Sequence, residues 1–81
     1  MNQTELRNAA ANWMVLQCKK VRKPPHDLKF RAKEVAQAVG GYAGQLGHVA
    51  ENVAEDISAQ GFACTYVRLK SGGTFHLRVE A

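Results

Sequence analysis

The sequence predicts an α+β fold, three helices followed by a C-terminal β-hairpin. Three observations carry this expectation. Apolar residues recur at helical spacing near the N-terminus and again between Ala43 and Gln60. The period then changes to alternation in "ACTYVRLK" and in "TFHLRV", with "SGG" between them, and two alternating runs joined by a glycine turn read as a hairpin. A chain of 81 residues that is 46% hydrophobic suits one core and one domain.

Asn2 followed three residues later by Glu5 has the form of a capping box. Leu6, Ala9, Ala10, Trp13, Leu16 and Gln17 then follow the i, i+3, i+4, i+7 pattern, and Met14 and Val15 widen the apolar face. A first helix is expected over residues 1–20. Lys19 and Lys20 suit its negative pole, and "KPPHD" ends it, because Pro24 and Pro25 lack the amide donor and restrict the residues before them. Residues 21–29 are expected as a linker, with "LKF" (Leu28–Phe30) extended as a short strand. Residues 30–60 hold two helices: Ala32–Val39, with Val35, Ala36 and Val39 as its stripe, and Ala43–Gln60, with Leu46, Val49, Ala50, Val53, Ala54 and Ile57 on one side. Gly61 suits a left-handed C-terminal cap. Residues 62–80 form the hairpin. In its second strand Phe75, Leu77 and Val79 oppose Thr74, His76 and Arg78. In its first, Ala63, Thr65, Val67 and Leu69 oppose Cys64, Tyr66, Arg68 and Lys70, with Tyr66 read as facing outward.

The stretch "GGYAGQLGHVAENV" puts four glycines at the start of the best-patterned helix, and each is unfavourable in a helix interior by about 1 kcal/mol against alanine. The order helix, short strand, helix, helix, hairpin is that of a winged helix-turn-helix domain, in which two helices meet across a short glycine-containing turn. Gly40 and Gly41 then make the corner, Gly47 lets two helix backbones approach, and Gly44 admits a phosphate or groove wall. The simpler alternative is a flexible loop, with the helix beginning only near His48.

"FRAKEVAQAVGGYAGQLGHVAENV" resembles the helix-turn-helix core of winged-helix proteins, where an aromatic residue, a Val-Ala pair and an apolar-Gly step precede the recognition helix. Phe30, Val35, Ala36, Val39, Gly40, Leu46 and Gly47 carry the match, and "LKSGGTFHLRV" resembles the wing that closes such domains. From Phe30 onward the chain is similar to a group of small, functionally uncharacterised archaeal winged-helix proteins. The resemblance implies double-stranded DNA as partner, transcriptional control as role, major-groove contact by the helix starting near Ala43, and phosphate contact by the wing. Two departures stand out. Ala32 and Tyr42 occupy places where family members carry a Ser or Thr helix cap, and the Ala43–Gln60 helix holds Glu51, Glu55 and Asp56 but no lysine or arginine.

The net charge of +4 is concentrated. Lys19, Lys20, Arg22, Lys23, Lys29, Arg31 and Lys33 fall close together with only Asp27 among them, and Arg68, Lys70 and Arg78 form a second group. Basic residues flanking both the helix-turn-helix and the wing fit a polyanionic partner. The expected DNA contacts are therefore Lys29, Arg31 and Lys33 before the turn, Tyr42, Gln45, His48 and Asn52 on the early turns of the long helix, and Arg68, Lys70 and Arg78 on the wing. Glutamine and asparagine pair with adenine edges, while tyrosine and histidine contact phosphate or stack. The acidic half of the long helix supports an alternative, a protein-interaction module without DNA binding. Trp13 and Met14 on the first helix suggest a homodimer contact.

Other classes find little support. No apolar run approaches the roughly 18 residues of a membrane span, and "MNQTELRNAA" lacks the pattern of a signal peptide, so a cytoplasmic protein is expected. Cys18 and Cys64 are too few for a disulfide framework and read as small buried hydrophobes. Cys-x-x-Cys and His-x-x-x-His spacings are absent, so no metal or other cofactor is expected. Paired catalytic carboxylates, a nucleophile motif and a phosphate-binding glycine loop are absent too, and an enzyme is not expected.

Overall fold

The computed structural model describes residues 2–80; Met1 and Ala81, the ends of the expected helix and domain, lie outside the described residues. Helix α1 spans Gln3–Lys19 and opens with the expected capping box: Asn2 Oδ1 accepts from the Glu5 amide at 2.8 Å, and Glu5 Oε1 from the Asn2 amide at 3.4 Å. Its buried face is Leu6, Ala10, Ala11, Met14, Val15 and Cys18. Trp13 is half-buried, its ring edge-on to Phe30 at 5.2 Å between centroids. Met14 is fully buried and Trp13 packs on the core, so the apolar face of α1 is covered from within; Leu16 is the large apolar residue it leaves exposed.

Strand β1 spans His26–Arg31, twice the length of "LKF", and takes up the end of the expected 21–29 linker. Its length is set by its partner: it pairs antiparallel from His26 opposite Val79 to Arg31 opposite Thr74. Leu28 and Phe30 lie opposite Leu77 and Phe75 and pack on the core. Helix α2 (Ala32–Val39) follows without a loop, then α3 (Ala43–Ala59), β2 (Ala63–Leu69) and β3 (Gly72–Val79). The sheet order is β1-β3-β2, antiparallel throughout, with β3 in the centre. All three helices pack on the face that carries Phe75, Leu77 and Val79, and together they enclose Leu6, Met14, Val35, Leu46, Val53 and Ile57. Among the described residues no polar or charged residue is buried, and no helix is long and apolar enough to cross a membrane.

The glycines divide by role. Gly40 takes a left-handed φ of +80° to close α2, and the Gly41 amide donates back to the Ala36 carbonyl at 2.8 Å. A Cβ at Gly41 would stand 2.5 Å from Leu6 Cδ1, so this is the glycine that lets the corner seat on α1. Gly47 has nothing within 4 Å of a Cβ position, so its expected role in helix approach is not the one it plays. Gly44 likewise faces open space, and α3 runs from Ala43 through both residues, so the helix does not wait until His48. Gly61, at φ +95°, follows α3 as expected.

Tyr66 corrects the expectation that it faces outward. It lies opposite Phe75 on the core side, with ring centroids 4.8 Å apart, and any Cβ at Gly73 would collide with its ring. Alternation alone left the two faces of β2 ambiguous because both carry apolar residues. The cross-strand partner decides: Cys64 and Tyr66 pair with Leu77 and Phe75.

Candidate nucleic-acid interface

Because β1 runs straight into α2, Lys29 and Arg31 alternate onto one side of the strand and Lys33 follows on the first helical turn, all exposed. They wall a groove of about 1080 Å³ that reaches from these cations and the starts of α2 and α3 (Ala32, Ala43, Gly44) to the hairpin tip (Leu69, Ser71, Gly72). Among the described residues the ion pairs are made by Arg7 and Arg78 alone, so none of the three cations is neutralised by a partner; Glu34 is the one acid on the wall. Both helices begin without a side-chain cap, Arg31 and Tyr42 standing at the cap positions. No side chain therefore caps their first-turn amides, which stand at the positive ends of the helix dipoles.

Tyr42 is 76% exposed at the start of α3. Gln45, His48 and Asn52 are exposed at i, i+3 and i+7, one flank of the helix turned away from Leu46, Val49 and Val53. The structure therefore brings these four side by side. Glu55 lies seven residues beyond His48, two turns along the same side, and Glu51 is adjacent; α3 carries its acids in line with its polar residues rather than behind them. Asp56 is turned to α1, where Arg7 Nε and Nη2 donate to its two carboxylate oxygens at 2.7 and 2.8 Å. That hydrogen-bonded contact holds the Asp56 carboxyl below its ordinary pKa.

The wing residues have separate fates. Lys70 sits exposed in the two-residue turn at the hairpin tip. Arg68 reaches back to the long helix: its Nη2 donates to the Gly47 carbonyl at 3.1 Å, and its guanidinium stands 5.9 Å from the Tyr66 ring centroid. It latches the wing to α3 while remaining exposed. Arg78 is at the other end of β3, six residues from Gly72 and so about 20 Å away along the strand. It donates to Asp27 at 2.9 Å and Glu80 at 3.0 Å, so the structure does not bring it to the groove and gives it acidic partners of its own.

Alternation puts His76 on one face with Thr74 and Arg78 and gives it no contact of its own. His76 is half-buried, directly opposite Lys29, and lines the groove with Thr74. The signal that identifies it is strand register, which alternation cannot supply. Among the described residues no three His, Cys, Asp or Glu side chains are grouped to hold a metal ion. Comparison with protein-family models, curated proteins and solved structures gives no match for this chain.

Proposed function

We propose that the chain is a winged helix-turn-helix domain that binds double-stranded DNA and serves transcriptional control. The observation that carries this reading is the groove between the hairpin tip and the starts of α2 and α3, with Lys29, Arg31 and Lys33 on its wall and without acidic partners. In this reading those cations and Lys70 anchor phosphates, and the exposed flank Gln45–His48–Asn52 faces base edges. Four phosphate contacts correspond to a log-log salt slope of about −4 on duplex DNA. Fluorescence anisotropy with a random-sequence duplex at two salt concentrations tests it. Salt-steep binding that a Lys29→Ala/Arg31→Ala/Lys33→Ala variant loses supports the reading, and no binding at low salt rejects it.

A second reading, a protein-interaction module, is favoured by one specific observation. The exposed side of α3 carries Glu51 and Glu55, neither ion-paired, and no cation. A basic protein partner would fit that side. Duplex binding that rises when Glu51 and Glu55 are changed to glutamine favours DNA on α3; unchanged binding leaves those acids to another partner.

A further inference from the structure

The sheet has one covered and one bare face. Register arranges the bare face in columns: Lys29 and Arg31 from β1, His76 and Thr74 from β3, Thr65 and Val67 from β2. The direct rows are Lys29–His76–Thr65 and Arg31–Thr74–Val67. Neighbouring strands are about 4.8 Å apart, so the cationic edge and the β2 edge are separated by about 10 Å. The groove at the wing does not end there. A second depression of about 370 Å³ lies against Ala63, Thr65 and Arg78 and shares Lys29 and His76 with the first. Both border the Lys29–His76 row of the bare face. Val67 and Leu69 stand 40% and 56% exposed on its β2 side, two of the four large hydrophobic residues left exposed among those described. Its one nearby acid on β1, Asp27, is neutralised by Arg78.

We infer that this bare sheet face, from Lys29 and Arg31 across His76 to Thr65 and Val67, binds an extended single strand of nucleic acid, its phosphates along β1 and its bases over β3 and β2. A single strand presents charge on one side and flat, partly apolar bases on the other, which matches a cationic column beside a hydroxyl, imidazole and aliphatic floor. A duplex keeps its base faces stacked inside and has no use for Val67. Lys29 and Arg31 are two residues apart, about 7 Å along the strand, a spacing that suits successive phosphates of an extended chain. The inference does not rest on the duplex reading. Both surfaces use Lys29, Arg31 and His76, and they are told apart by Thr65 and Val67, which belong to the sheet face, and by Gln45 and Asn52, which belong to α3.

The test is anisotropy with a fluorescein-labelled oligothymidylate of about 12 nucleotides, beside a duplex, for the wild type, Val67→Asp and Thr65→Asp. Both substituted side chains are exposed, and circular dichroism verifies the fold; should Val67→Asp unfold, Thr65→Asp carries the comparison. Expected is salt-dependent binding of the single strand that each variant weakens about fivefold or more, with duplex binding changed less than about twofold. Absent single-strand binding overturns the inference, as does binding that neither variant weakens. So does a wild-type dimer that Val67→Asp converts to monomer, because a second copy then occupies the face. Single-strand binding through these residues without duplex binding upholds the inference and removes the duplex reading; the reverse does the opposite.

Discussion

Between positions 40 and 47 the same residue type does opposite things to stability. At Gly41 a Cβ would stand 2.5 Å from Cδ1 of the fully buried Leu6, whose side chain would have to shift within the core. Gly41→Ala is expected to destabilise by about 1–3 kcal/mol, the usual cost of overpacking a core. Gly47 lies in a helix interior with open space around it, so Gly47→Ala is expected to stabilise by about 0.5–1 kcal/mol. Urea unfolding of both variants measures the two signs. The sequence marks both as glycines at a corner and cannot rank them, because the answer depends on where α1 docks. Tyr66 was hidden for a related reason: its burial follows from Gly73 and Phe75 across the hairpin. Of the two thiols expected to be buried, Cys18 is buried and Cys64 only half-buried, and both are free. Burial, with Cys18 nearby, pushes the Cys64 thiol up from 9.0 to about 11. A group with a raised folded pKa binds its proton more tightly in the folded state, so its contribution is full below pH 9.0 and is lost as pH rises to about 11. Stability measured across that window should fall less steeply in Cys64→Ala than in the wild type.

Two side-chain contacts tie α3 to other elements, Arg7 on α1 and Arg68 on the wing. Arg7 joins α1 to the second half of α3 through Asp56. The depressed Asp56 pKa makes that contact's contribution present above the ordinary value of 3.8 and lost as pH falls through the lower folded value. In Arg7→Met the acid limb of the stability curve should flatten, a change read by thermal unfolding between neutral and acid pH. Arg68 joins the wing to α3 at Gly47. Arg68→Ala should speed amide exchange around residues 69–73 while global stability moves by no more than about 0.5 kcal/mol, since the contact is exposed. Most element boundaries were legible: the Asn2–Glu5 box, the stripe of α2, the run of α3 and the change to alternation each have a local cause. β1 was not, because half its length is fixed by pairing with β3, which lies some fifty residues away in sequence.

Charge at the scale of the molecule is divided. Unpaired cations lie at the end of α1 and in the loop after it (Lys19, Lys20, Arg22, Lys23), where β1 enters α2, and at the hairpin tip, while α3 carries acids and no lysine or arginine. The residue types for phosphate contact were legible in the sequence; their grouping was not, and Arg78 shows why. It reads as a wing residue, yet antiparallel pairing sends it to the far end of the sheet beside Asp27. The longest dimension, 34 Å, is close to one turn of duplex, about 34–36 Å, so one molecule should cover no more than about 10 base pairs. Stoichiometric titration of duplexes of increasing length checks that footprint. The central claim of the proposed function is that duplex DNA sits in the groove between the hairpin tip and the starts of α2 and α3. Amide chemical-shift mapping with a short duplex asks this directly. Shifts concentrated at Arg31–Glu34, Tyr42–His48 and Lys70–Gly73 are the predicted result. Shifts concentrated on α1 or around Arg78, with the groove silent, would contradict it.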